Sequence, residues 1–395
     1  MSDFKNLPSG WKVVRLGEIG KIVNGLTYSP ENVSNNGLLV LRSSNINDNS
    51  IVLNNDDVYV KGISKFNKTL ENDILICVRN GSKNLIGKNA LITEKYKDLA
   101  FGAFMTIFRS NYNLFLIHIF KTNTFFKQVK NDLGATINSI NNSNLLNFKI
   151  PLPPLDEQEK IAEILSTWDE AINLTINFIE SKKQFKKALM QNLLTAKIRF
   201  PEFKDEWKET ILGKICDIST GTSKSRFISN GKFYIVDMGS ITQDGLLNLT
   251  KTTNLSQDFL DCGDLVMPKD DIGGGKIIGK VAVIDKDNTY VLSDHIFRIK
   301  TTENSNFLAY LINSDLINKK IRREVSGTAQ LGLSKRTIEN LKIKLPNLKE
   351  QQKIAEVLTA CDDEINLLNL KLENLKKQKQ GLMQKLLSGK VRVRI

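Results

Sequence analysis

Lysine, arginine and asparagine crowd into two glycine-bearing stretches, RNGSKNLIGK at 79–88 and PKDDIGGGKIIGK at 268–280. Glycine lets a backbone approach a ligand closely, ammonium groups neutralise phosphate, and amide and guanidinium groups match the hydrogen-bonding edges of bases. The chemistry that suits these residue types is recognition of a nucleic acid. Arg79, Asn80, Lys83 and Lys88 are the candidates in the first stretch, and Lys269, Lys276 and Lys280 in the second. Arg42, Lys224 and Arg226 join them as candidate nucleic-acid contacts, as do Asn138 and Gln330 from a second pair of similar segments, GATINSI (134–140) and GTAQLGLS (327–334).

Residues that could instead make or break bonds do not assemble. Gly274 followed by Gly279 and Lys280 approaches a phosphate-binding loop, but Val281 stands where Ser or Thr should hold the metal, and VAVID continues as a strand where a helix is needed. Ser293, Asp294 and His295 are consecutive in an expected strand, so their side chains point to opposite faces and cannot converge as a triad. His118 lies in an apolar, helical stretch, where packing explains it. There is no paired carboxylate–lysine cluster of nuclease type, no Asn-Pro-Pro-aromatic motif for methyl transfer and no glycine-rich nucleotide fingerprint. The expectation is a non-catalytic chain without a cofactor or metal of its own.

The net charge of +13 agrees with a polyanionic partner, although the Lys-, Asn- and Ile-rich usage of an AT-rich genome would also produce it. Cys77, Cys216, Cys262 and Cys361 show no C-x-x-C spacing, which argues against a disulfide framework or a zinc site and for a reducing compartment. MSDFKNLPSGWK lacks the pattern of a signal peptide, and no apolar run approaches the ~18 residues of a membrane span. A cytoplasmic, membrane-free location is expected.

The elements that must position these residues come in duplicate. LPPLDEQEKIAEIL at 152–165 returns as LPNLKEQQKIAEVL at 345–358, and the match extends without a gap from 150–200 onto 343–393. WKVVRLGEIGKIVNG (11–25) likewise lies over WKETILGKICDISTG (207–221), so the chain is ordered A-B-A′-B′. In each A unit, runs such as GLLVLRSSNI, DILICVRNG and MTIFRS, or KFYIVDMGSI, GDLVMPKDD and HIFRIK, predict strands. FLIHIFKTNTFFKQVKND and FLAYLINSDLINKKIRREV predict one helix each. The class is α+β with a mixed, largely antiparallel sheet.

The B segments change period. Ile161, Leu165, Trp168, Ile172, Thr175 and Ile179, like Ile354, Leu358, Cys361, Ile365, Leu368 and Leu372, step by 4 and 3 in turn, which is a heptad seam. Each helix should run for ~40 residues, about 60 Å at 1.5 Å per residue. Glu157 and Glu350 suit the first turn by the helix dipole, and Gly389 suits the end of the second copy. The seam must bury itself against its own domain or against the other helix; a rod that outreaches a globule of ~150 residues favours pairing, with Ile161, Leu165, Trp168, Ile172, Ile354, Leu358, Ile365 and Leu372 as helix–helix residues. The expected fold is therefore two mixed α/β recognition domains, 1–153 and 199–346, separated by long antiparallel coiled-coil helices, 154–198 and 347–395, in a pseudo-two-fold repeat with the chain ends close together.

The duplicated L-P-x-L-x-E-Q-x-K-I-A-E signature, each copy following a WK…LG…G-led unit and opening a heptad helix that ends in LMQ-x-LL-x-x-K, resembles the specificity subunit of type I restriction-modification systems. The resemblance spans essentially the whole chain. It implies that each variable unit is a target-recognition domain for one half of a split, asymmetric site in double-stranded DNA, and that the helices space them and dock two methyltransferase subunits. It also implies translocating nuclease subunits in the full complex, with S-adenosylmethionine, ATP and Mg on those partners. A stand-alone DNA-binding structural protein or antirepressor is the competing expectation; it would have no methyltransferase partner.

Overall fold

The run ILIC at 74–77 has no polar alternation, which demands burial on both faces. The computed structural model describes residues 7–133, 138–272, 274–325 and 331–394. In it Ile74–Cys77 is a fully buried strand. Ile74 and Ile76 enter a core with Phe108, Phe115, Phe120 and Phe125, whereas Leu75 and Cys77 enter another with Leu39, Leu41, Phe101 and Ile107. The strand belongs to an antiparallel sheet ordered Lys21–Asn24, Met105–Arg109, Ile74–Cys77, Asn89–Leu91. The second core lies between this sheet and one ordered Ala100–Phe101, Leu38–Leu41, Val58–Val60, Val33–Ser34, whose first pair is parallel. A ladder of Lys12–Arg15 on Lys149–Leu152 leads into the first long helix. All of this belongs to one of two compact units, Met1–Ile176 with Lys371–Ile395; the other is Asn177–Leu370.

The second unit follows the same plan on its own core. Leu265–Pro268 is its fully buried strand. Leu265 and Met267 pack with Phe297, Phe307 and Leu308, and Val266 packs with Val236, Leu260 and Leu292. Its sheets are ordered Cys216–Thr220, Ile296–Thr301, Leu265–Pro268, Ala282–Val283 and Thr252–Thr253, Phe233–Val236, Tyr290–Leu292, the last pair being parallel. Lys208–Ile211 pairs with Lys342–Leu345 ahead of the second long helix.

Three expectations need correction. FLIHIFKTNTFFKQVKND forms two helices, Asn113–Ile119 and Asn123–Asp132, because Thr122 turns extended and its Oγ1 accepts from the Phe125 N–H, capping the second. The break lets Phe120 stack on Phe125 with centroids 4.5 Å apart. FLAYLINSDLINKKIRREV likewise divides at extended Ser314 into Ser305–Asn313 and Asp315–Arg323. Ser293–His295 is not in a strand: it is the turn between Tyr290–Leu292 and Ile296–Thr301, where Ser293 Oγ donates to Asp294 at 2.9 Å and not to the histidine.

The long helices are Leu155–Leu193 and Leu348–Leu386, 39 residues each. In the first unit the start of one meets the end of the other, running oppositely: Ile161 and Leu165 share a core with Leu386, Leu387, Phe115 and Leu116. In the second unit Ile354 and Leu358 do the same with Leu193, Leu194, Phe307 and Leu308. The opening turns thus bury against both their own domain and the other helix, so neither alternative holds by itself. Gly389, beyond the second helix, has φ +72, and Ala196 holds the same place after the first with φ +57. Near the chain's ends, Arg392 Nη1 donates to Ser9 O at 3.2 Å, in line with the expectation that the chain ends lie close together.

Candidate nucleic-acid interface

In the first unit the chain leaves the buried strand at Val78 and is held there from two sides. The Val78 and Arg79 N–H groups both donate to Phe104 O, at 3.0 and 3.1 Å, Ile140 N donates to Val78 O at 2.8 Å, and Arg79 bridges Ser139. That lacing brings separate candidates together. Asn80 Nδ2 donates to Ser43 Oγ at 3.0 Å, Lys88 Nζ to Ser43 O at 3.3 Å, and Asn138 Nδ2 to Gly81 O at 2.9 Å, while exposed Arg42 precedes Ser43. The Arg79 guanidinium lies 5.8 Å from the centroid of Phe104, a ring that is 56% exposed. Lys83 is exposed on the short turn Lys83–Leu85. This face offers cations, amides and an aromatic surface to one ligand.

The second unit laces the same place in the same way. Lys269 N donates to His295 O at 3.1 Å, Leu333 N to Lys269 O at 2.8 Å, and Asp270–Asp271 pairs with Leu331–Gly332. Here Asp270 Oδ2 and His295 Nδ1 are 2.7 Å apart, and Lys276 and Arg226 are exposed. Two expected lysines are turned inward, a correction with a clear cause. The Lys224 side chain is 1% exposed, its Nζ held 2.5 Å from both Asp258 Oδ2 and Thr222 Oγ1, so its charge is already matched. Lys280 is half-buried with Nζ 3.5 Å from Asn313 O, and burial pulls its pKa down. Gln330 lies outside the described residues.

Among the described residues nothing on these faces is set up for covalent chemistry. Burial pushes the Cys77 thiol up to about 11, so no thiolate stands beside Arg79. Burial also holds His118 down at about 3, and its Nε2 is 3.5 Å from Ser166 Oγ. The Gly279–Lys280 segment runs into the strand Ala282–Val283 with no helix N-terminus to receive a phosphate. Among the described residues no group of three or more His, Cys, Asp or Glu side chains could hold a metal, and no helix is long and apolar enough to cross a membrane.

The long helices carry a second set of contacts. Within the first unit, buried Glu157 takes a two-pronged ion pair from Arg392, at 2.6 and 2.9 Å, plus the Trp11 indole N–H at 2.9 Å. Within the second, buried Glu350 takes the same fork from Arg199, at 2.9 and 2.7 Å. Farther along, Asp169 meets Lys379 and Lys121, and Asp362 meets Lys186 at 2.5 Å. Burial alone would raise the Asp169 pKa, but Lys121 and Lys379 outweigh it and hold the carboxyl below its ordinary value. Of the expected docking residues, Ile161, Leu165, Ile172, Ile354, Leu358 and Ile365 are buried, and Trp168 and Leu372 half-buried, so they hold the helices in place and leave no apolar face open themselves.

A family model described as the type I restriction modification DNA specificity domain matches the chain twice, over residues 8–181 and 204–377. The chain belongs to the type I restriction-modification specificity family. It is 29% identical over 420 residues to the putative type I restriction enzyme MjaX specificity subunit of Methanocaldococcus jannaschii, covering 100% of this chain and 96% of that one. With the type I restriction enzyme EcoKI specificity subunit of Escherichia coli K12 it shares 24% identity over 426 residues, covering 98% and 90%. Its fold is similar to the S subunit of a type I restriction-modification system from M. genitalium, with TM-score 0.62, 17% identity and 97% of each chain covered. A chain from a structural study of complex assembly and conformational transition in the type I system gives TM-score 0.58 at 18% identity, covering 98% and 100%. As a specificity subunit it is a non-catalytic, DNA-recognition component.

Sequence reasoning passed over four residues of these specificity-subunit faces: Ser43, Phe104, Asp270 and His295. Phe104 carried the one available signal, a large aromatic beside small residues in FGAFM with no apolar partner at strand spacing. The arginines that bind Glu157 and Glu350 were also overlooked. Their signal is the repeat itself, since Arg199 and Arg392 lie in matching positions of KIRF and KVRV.

Proposed function

We propose that this chain reads a bipartite, asymmetric DNA site, one half by the face around Arg79 and the other by the face around Asp270. The observation that carries the reading is the twofold match of the specificity domain, once over each unit, combined with different side chains on the same backbone lacing. Two unlike reading faces in one chain give an asymmetric site, whereas two identical ones would give a palindrome. The long helices, related as a pseudo-two-fold antiparallel pair, space the half-sites and dock two methyltransferase subunits. Support for docking comes from apolar side chains left exposed along them, Leu174, Phe178 and Phe185 on the first and Leu367 and Leu370 on the second. S-adenosylmethionine, ATP and Mg belong to the methyltransferase and nuclease partners, in keeping with the missing motifs here.

The test is to express the chain with and without its cognate methyltransferase subunit and map methylated bases across a host genome. The pair should mark a split motif with unlike halves and an unread gap, and the purified chain alone should neither methylate nor cut. Sequence-dependent modification by the single chain would overturn the reading, as would failure to pull down any methyltransferase, which would favour a stand-alone DNA-binding protein.

A further inference from the structure

The backbone ladders put different chemistry at one equivalent place in each unit. Phe108 pairs with Ile74 and Ile299 with Leu265, so counting along both strands sets Arg79 against Asp270 and Phe104 against His295. The cross-links agree: Arg79 bridges Ser139 as Asp270 bridges Gly332. Each place thus holds a charged side chain against an exposed ring at the exit of the most buried strand.

We infer that this pair is a base-reading position in each unit, with Arg79 on Phe104 taking the acceptor edge of guanine and Asp270 with His295 taking an amino group of cytosine or adenine. The inference rests on the DNA-reading role proposed above. Arg79 is exposed and has no carboxylate partner among the described residues, and its guanidinium lies 5.8 Å from the Phe104 ring centroid, an aromatic contact that uses none of its N–H donors. A planar fork of donors matches O6 and N7 of guanine in one fixed geometry, whereas an ammonium on its flexible stem is a point charge with no plane to align with the base. Asp270 has the opposite constraint. A carboxylate repels phosphate, so on a DNA-facing surface of a chain with net charge +13 its favourable contact is a base amino group. His295 Nδ1, 2.7 Å from Oδ2, steers it, and the other oxygen faces Gly332, which brings no side chain of its own against it.

The experiment uses the full chain assembled with its methyltransferase subunits, selecting bound sites from a randomised duplex library and mapping methylation. Arg79→Ala should relax one guanine in one half-site, with discrimination there falling about 10- to 100-fold, and leave the other half-site as it was. Should that variant fail to assemble, Arg79→Gln keeps a polar stem but not the fork of donors, and the same single position should lose its guanine. Asp270→Ala should relax one position of the other half-site, at which the wild type selects a base with an amino group, cytosine or adenine. Variants that bind and methylate with the unaltered motif at every position would overturn this assignment while leaving the DNA-reading role intact. A wild-type complex with no sequence preference would instead remove that role.

Discussion

His118 sets a pH limit on the fold. Its ordinary pKa of 6.5 falls to about 3 because burial disfavours the cation, with Lys121 adding repulsion. Below pH 6.5 the unfolded chain takes up a proton that the folded chain refuses, so stability decreases as pH falls, by up to about 1.4 kcal/mol per pH unit, until about pH 3. Urea denaturation at pH 7 and pH 5 should show this loss, and His118→Gln should flatten it; an equal slope in both proteins would assign it elsewhere. A second residue-scale prediction concerns the helix ends. Left-handed backbone is costly for any residue with a Cβ, so Ala196→Gly should be neutral or stabilise by about 0.5 kcal/mol. Gly389→Ala should cost more than about 1 kcal/mol, because its new Cβ would also collide with Pro8. Thermal melts of both variants test the asymmetry.

Helices and central strands were legible because burial writes a period into the chain. The seam from Ile161 to Ile179 and the unbroken apolar runs at 74–77 and 265–268 each name their element. The helix breaks at Thr122 and Ser314 were less so, since apolar residues continue on both sides and only the capping geometry divides them. The equivalence of Arg79 with Asp270 was illegible for a different reason. TIFR at 106–109 and HIFR at 295–298 invite an alignment on I-F-R, but the ladders place Arg109, opposite Lys21, against Lys300, opposite Asp217, a slip of two residues. A slip of two keeps every side chain on its face, so hydrophobic pattern cannot detect it. At this scale the helices also make a prediction. Inserting one heptad near Thr175 and a matching one near Leu368 keeps the seam phase and adds about 10.5 Å, roughly three base pairs. The extended protein should retain both half-site sequences and prefer a longer gap in a methylome; an unchanged gap at full activity would place the ruler in the methyltransferase subunits.

Charge acts through the whole molecule, but not every lysine contributes to a bound polyanion. Exposed Lys83 and Lys276 should each account for a phosphate contact, and changing either to Gln should reduce the slope of log affinity against log salt by about 0.9 on any DNA sequence. Lys224→Gln should leave that slope alone and lower the melting temperature, because its ammonium serves Asp258. Titrations of the assembled complex at several salt concentrations separate the two outcomes.

The division of the chain also bears on how it is made. Residues 1–176 leave the ribosome first, yet their core lacks Leu386 and Leu387, and buried Glu157 lacks Arg392, until the segment beginning at Lys371 has followed. The second unit is contiguous, Asn177–Leu370, and has every residue it needs before then. At about 5–20 residues per second the interval is roughly 10–40 s. During it the nascent first half carries Ile161 and Leu165 covered on one side only and a carboxylate awaiting its counter-ion, so the half translated earliest is the last to close, and it is the half for which a chaperone on the growing polypeptide has most to hold.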